Sequence, residues 1–315
     1  MRTITATVLT LTALTPSTLA WGTLGHTTIA YIASNFLSPA TQQWAARTLN
    51  TTSTNEDYLA NIANWADFYR HTPSGAFTSR YHYIDARDNP PGNCNVECAR
   101  DCLEGCIVSA FANYTARVSD CGLEAIEREQ ALKFLVHFAG DVAQPLHAEG
   151  VARGGNEVGV LWQRVERDLH GVWDEEIVGK LRGVGTGGGE LGEAKQWADE
   201  LTGEIEWGIF RWQREGWLCG VDYGDVVGTV LGWARDSNEL VCSHVIPEGV
   251  GAVEGKELSG EYYGSVVDVV ELQIARAGYR LAAWLDAIAR SQQKGWYYLQ
   301  FPGFEGWRKA DRHRC

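Results

Sequence analysis

One spacing occurs twice in this chain: His137 and Asp141, then His170 and Asp174. Residues at i and i+4 of a helix lie over one another, roughly 5–6 Å apart at Cβ. Each pair can therefore aim two metal-ligand types at one point. One such pair alone reads equally well as a core histidine and a capping acid. The second copy, with His147 close behind the first, turns the reading toward metal. His26, Asp67 and His82 are further candidates of the same type. Imidazole and carboxylate ligands without cysteine suit zinc. Nine ligand groups, counting both the amine that a cut before Trp21 would free and the residues above, exceed one tetrahedral site and suffice for three that share ligands.

The elements that must hold these residues are mostly helical. Arg128 to Gln144 reads as a helix, buried from Phe134 on, with Leu135, Phe138 and Val142 on its other faces. Pro145 cannot continue it, so His147 is presented from a turn. Helices are also expected after His26, over Ala40 to Leu49, Glu56 to Tyr69, Ile107 to Val118, Asp168 to Lys180, Leu191 to Trp217 and Gly224 to Val241. The longest periodic run, Tyr262 to Arg290, carries an apolar stripe at Val266, Val270, Ile274, Ala277, Leu281, Leu285 and Ile288. Arg80 to Asp85 alternates and reads as extended, and Val160 to Val165 as a short strand. Gly183 to Gly189 lacks the Lys-Ser/Thr ending of a phosphate-cradling loop. No repeat and no strong linker appears, so the fold class is mainly α, in a single domain.

Met1 to Ala20 reads as a secretory signal peptide, with Arg2, an apolar stretch from Val8, and small residues before a cut at Trp21. Nothing after it approaches the ~20 apolar residues of a membrane span. A secreted chain with eight cysteines suggests disulfides. Asn50 and Asn113 head glycosylation sequons. The formal charge of −13 argues against a phosphate-binding surface made of Lys and Arg. A phosphate ligand would have to find its positive charge elsewhere, and bound metal ions are the obvious source.

Taken together, Trp21-Gly-x-x-Gly-His26, Asn64-Trp-Ala-Asp67, His82-x-Ile-Asp85, Phe134-Leu-Val-His137-x-x-Gly-Asp141-x-x-Gln-Pro-Leu-His147, Gly154-Gly-Asn156 and Asp168-Leu-His170-x-x-Trp-Asp174 form a specific set. The chain resembles the zinc-dependent single-strand-specific nucleases of fungi and plants, of the S-one and P-one type. The resemblance covers residues 21 to 290 and leaves 291 to 315 as a C-terminal tail. It implies the helical fold shared by those nucleases and the zinc phospholipases C, and three Zn²⁺. One would take Asp67, His82, His137 and Asp141. A second would take His147, His170 and Asp174. A third would take the amine and carbonyl of Trp21 with His26, Asp141 bridging it to the first.

The resemblance also implies hydrolysis of single-stranded DNA and RNA to 5′-phosphate products, with 3′-nucleotides as further substrates. Arg70 would stabilise transition-state charge. Asp85, also placed at the catalytic pocket, and Asn156 would bind the base, and Tyr83 would stack on it. Cys94–Cys242 and Cys102–Cys106 are the implied disulfides. Val165 departs from the pattern: some fungal members carry a second stacking aromatic there, and nearby Trp162 is the candidate substitute. No membrane anchor and no obligate protein partner is expected. Two other readings stand beside the nuclease: a zinc phospholipase C, and a secreted metal-binding protein without turnover.

Overall fold

The computed structural model describes residues 21–51, 56–184 and 190–293. The signal-peptide and tail expectations, and most of the Gly183–Gly189 loop, lie outside them, as does Cys315. The first two helices, α1 (Gly22–Phe36) and α2 (Pro39–Thr48), flank a turn in which Ser38 caps α2 and Pro39 occupies its first position. α1 is buried on nearly all sides, with Ile29, Ala30, Ile32 and Ala33 fully enclosed. Two short 3₁₀ turns lead to α3 (Trp65–Arg70). A cysteine-rich stretch carrying α4 (Cys98–Asp101) precedes an antiparallel pair, α5 (Ile107–Ser119) and α6 (Ala125–Asp141).

One hairpin interrupts the helices. β1 (Gly159–Trp162) pairs antiparallel with β2 (Val165–Asp168), Gly159 opposite Asp168 and Trp162 opposite Val165. Its two turn residues, Gln163 and Arg164, both have positive φ, the signature of a type I′ turn. Then come α7 (Leu169–Gly171), a π turn over Val172–Glu176, α8 (Ile177–Arg182), α9 (Glu190–Glu206), α10 (Val226–Leu240) and α11 (Glu261–Gln293). α1 packs along α9 and α11, and α5 against α6. The stripe residues of α11 from Val266 to Ile288 lie in the core as their period requires.

Several boundaries differ from the sequence reading. The run from Glu56 to Tyr69 is not one helix. The Ala63 carbonyl accepts a hydrogen bond from His137 Nδ1 at 2.7 Å, and Asn64 turns aside to bond Thr27. Arg80 to His82 belongs to a 3₁₀ stretch, Ala76–His82, and only from Tyr83 is the chain extended. The helix expected to Trp217 ends at Glu206. Asp168 to Lys180 is broken by its π turn, in which Asp174 sits. Cys94–Cys242 and Cys102–Cys106 are both bridged, while Cys98 and Cys121 form no disulfide among the described residues.

Candidate metal centre and cleft

Four elements converge on the first group of candidate ligands. α6 supplies His137 and Asp141, α3 supplies Asp67, the end of the Ala76–His82 stretch supplies His82, and α1 supplies His26. His82 Nδ1 lies 3.2 Å from His137 Nε2, 3.0 Å from Asp141 Oδ2 and 3.6 Å from Asp67 Oδ1. His137 Nε2 lies 3.4 Å from Asp67 Oδ2 and 3.3 Å from Asp141 Oδ2. The other oxygen of Asp141 is 3.2 Å from His26 Nε2, so its carboxylate stands between His26 and the His82–His137 pair. The His26 ring stacks on His137 with centroids 4.0 Å apart. Trp21 is buried beside them, its indole N–H donating to the Gly140 carbonyl.

A second group forms where the turn after Pro145 meets α7 and the π turn. His147 Nε2 faces His170 Nε2 at 3.1 Å, and His170 Nε2 is 3.1 Å from Asp174 Oδ2. Both rings donate Nδ1–H to main-chain carbonyls, His147 to His82 and His170 to Gly154. Their Nε2 atoms therefore carry lone pairs that point at one another. Two lone pairs and a carboxylate at this range repel unless a proton or a cation lies between them. This outer hydrogen bonding is the arrangement that orients metal-ligating histidines.

The electrostatics point the same way. Burial opposes charge on His137, yet Asp141 and Asp67 hold its imidazolium pKa up to about 10. Burial alone would raise both those carboxyls, but His137 outweighs it and holds them low. Burial dominates at His82, which falls to about 4, and lowers His26 and His147. Both oxygens of Asp67, one of Asp141, one of Asp174 and both His26 nitrogens lack a hydrogen-bond partner. Buried polar atoms are otherwise satisfied in folded proteins. Orphans on ligand atoms packed this closely fit bound cations, and three of the candidate metal-binding triads among the described residues fall here: His26, Asp67 and His137; His82, His137 and Asp141; His147, His170 and Asp174.

The second group opens into a cavity of about 680 Å³ whose walls include Tyr83, Asp85, Asn156 and Arg70. Arg70 lies 3.2 Å from Asp67 Oδ1, so one side chain touches both the cluster and the cavity. Partial burial raises the Asp85 carboxyl pKa, against the pull of Arg153 and Arg87. Val165 is exposed on β2, whereas Trp162 is buried against Tyr263, so Trp162 offers no open face for a second base.

Four residues were not singled out from sequence. Gln144, fully buried, donates to Asp174 Oδ1 at 2.6 Å and accepts from Leu146 N–H. Glu149 accepts from Gly150 and Val151 N–H; burial, with Asp88 nearby, still pushes it up to about 7. Arg87 and Arg153 line the cavity. A glutamine just before Pro145 was the one available signal; the others are polar residues of loops, whose partners only the fold supplies.

A helical shell around buried histidine and carboxylate groups, opening on a polar cleft, defines the class to which this protein belongs. The chain is a member of the S1/P1 nuclease family, whose profile matches residues 21–290. Nuclease PA3 of Penicillium sp and nuclease P1 of Penicillium citrinum are each 46% identical to it over 273 residues, 86% of this chain and 99% of theirs. Nuclease S1 of Aspergillus oryzae is 44% identical over 280 residues, 88% of this chain and 94% of its own. The protein is therefore a nuclease, and its substrates are nucleic acids. Among the described residues no helix is long and apolar enough to cross a membrane.

Proposed function

We propose that this protein is a secreted, zinc-dependent endonuclease of single-stranded DNA and RNA that leaves 5′-phosphates and also acts on 3′-nucleotides. Residues 1–20 are the signal peptide, 21–290 the nuclease domain and 291–315 a C-terminal tail. Asp67, His82, His137 and Asp141 would hold one zinc, and His147, His170 and Asp174 a second. His26, Asp141 and the amine and carbonyl of Trp21 would hold a third, so removal of residues 1–20 completes the site. Zinc in such a site lowers the pKa of bound water from 15.7 to about 7 and polarises phosphoryl oxygens.

The chain's own residues supply the rest. Arg70 brings a guanidinium to the cavity wall, where it can bind a phosphoryl oxygen and stabilise charge that grows in the transition state. Asp67 holds that guanidinium in place. Tyr83, exposed beside the cluster, offers a ring for a base, and Asp85 and Asn156 offer polar atoms for its edge. Stacking needs an unpaired base, which favours single strands. Asn50 and Asn113 are both exposed and accessible to glycosylation.

The observation that carries this reading is the pair of facing Nε2 atoms of His147 and His170 with the orphaned oxygens of Asp67, Asp141 and Asp174, placed at the cleft of a nuclease-family chain. The test is cleavage of a single-stranded oligonucleotide by the secreted mature protein at mildly acid pH. Chelator-sensitive release of 5′-phosphorylated products, restored by zinc, is expected. Undiminished cleavage after metal removal would refute the metal requirement.

A further inference from the structure

The segment after His82 is a ridge between two cavities. Along residues 83 to 87 burial alternates: Tyr83, Asp85 and Arg87 are exposed, Ile84 and Ala86 buried. Successive side chains of an extended chain point to opposite faces, so the three exposed ones share one edge. The ridge is tied on both flanks. On the side of the cluster, Ile84 N–H donates to the His147 carbonyl at 2.8 Å, and the Ala86 carbonyl accepts from Gly150 N–H at 3.2 Å. On the other side, the Tyr83 carbonyl accepts from Ile107 N–H at 2.9 Å, and Arg87 N–H donates to Asp101 Oδ1 at 3.2 Å.

One of the two cavities is the cleft over the metal centre. The second holds about 200 Å³, and Tyr83, Asp85 and Arg87 line both. The wall facing the ridge across this second groove is Leu103 to Cys106, closed into a short loop by the Cys102–Cys106 disulfide. Leu103 is 69% exposed there, an apolar side chain left open to solvent. The acids of the groove are already engaged, Asp101 by Arg100 and Glu104 by Arg80. Arg87 is exposed, and its guanidinium has no ion pair among the described residues. A chain of formal charge −13 thus places an unpaired cation where the two cavities meet.

We infer that this groove is a subsite for a second nucleotide of the same strand. The strand crosses the ridge, Arg87 binds the phosphate that links this nucleotide to the one in the metal cleft, and Leu103 packs on the base beyond. The inference rests on the single-strand nuclease reading proposed above. A guanidinium meets phosphate oxygens with paired N–H donors. Phosphates carry no base identity, so the contact serves any sequence. A flexible single strand can follow a ridge with a pocket on either side, whereas a duplex, with a persistence length of about 50 nm, cannot. The subsite therefore favours polymers over 3′-mononucleotides, which fill the metal cleft alone. The disulfide loop then has a role, to hold the far wall of the groove in place.

The test uses the mature, zinc-loaded protein with deoxyadenosine 3′-phosphate and single-stranded octadeoxyadenylate as substrates. Arg87→Ala should raise KM for the octamer at least about threefold and leave KM for the mononucleotide within about twofold. It should also lower the slope of log KM against log salt for the octamer by about 0.7, the share of one phosphate contact on a single strand. Arg87→Lys keeps a cation for the phosphate and should retain the wild-type slope. Leu103→Asp sets a carboxylate in the groove and should raise the octamer KM alone. Both side chains are exposed, so neither change disturbs the core. An unchanged octamer KM in Arg87→Ala or in Leu103→Asp, an unchanged salt slope in Arg87→Ala, or a rise of equal size on both substrates would overturn the inference. If the wild type cleaves both substrates and the variants behave like it, the subsite falls and the nuclease reading stands. If the wild type cleaves neither, the single-strand nuclease reading falls and takes the subsite with it.

Discussion

Asp141 is where the chemistry of single residues is most concentrated. One oxygen lies against His26, the other against His82 and His137, and the side chain is fully enclosed. A carboxylate in that position would lower the cost of burying cations on both sides, because it could serve as a ligand to each. If three zincs bind as proposed, Asp141→Ala is accordingly expected to lose two of them and nearly all nuclease activity. Metal analysis of the purified variant beside its turnover checks this, and activity at full metal content would contradict the bridging role. His137 and Asp141 could be read as a pair from their spacing alone. That His26 completes the arrangement from the other side could not, because 115 residues separate it in the chain from Asp141.

At the scale of elements, the close approach of α1 to α6 decides the geometry. A Cβ at Gly140 would stand 2.6 Å from His26 Nδ1 and 2.8 Å from His26 Cε1. His26 cannot easily yield, since its ring is stacked on His137. Gly140→Ala is therefore expected to destabilise the fold by about 1–3 kcal/mol, as overpacking does, and to weaken metal retention. Thermal melts with parallel zinc determination would show it; a variant with wild-type melting and metal content would mean that the helices separate at little cost. The π turn at Val172–Glu176 is a second such case. It inserts an extra residue into a helical ladder, a feature frequent at functional sites, and brings Asp174 to His170 and to the Gln144 amide. Periodicity announced a helix across Asp168 to Lys180, but a π turn changes one hydrogen bond and leaves almost no mark on the apolar pattern.

For the molecule as a whole, three fully buried aspartates, Asp67, Asp141 and Asp174, sit within one core. Uncompensated buried carboxylates are strongly destabilising, and metal affinity for a site absent from the unfolded chain is folding free energy. Removing metal should lower the melting temperature by at least about 10 °C, on the scale of 2–4 °C per kcal/mol for chains of this size. Scanning calorimetry before and after chelation, then after zinc addition, gives the comparison. An unchanged melt with metal verifiably gone would show that the core carries these charges by hydrogen bonding alone.

The sequence by itself determined the helical class, the long α11 stripe, the ligand types and their local spacing, because periodicity and i,i+4 geometry act within a few residues. The resemblance carried by its motifs also named the two disulfides that the structure forms, Cys94–Cys242 and Cys102–Cys106. Only the tertiary structure decided which imidazole nitrogen faces the cluster, since the carbonyls of Ala63, His82 and Gly154 that take the Nδ1 protons come from distant loops and turns. It also decided that Trp162 is buried, that the Glu56 to Tyr69 segment breaks where Ala63 serves His137, and that Arg153 stands on the cleft wall. Each of these depends on contacts between segments far apart in the chain, where no local pattern of side chains reaches.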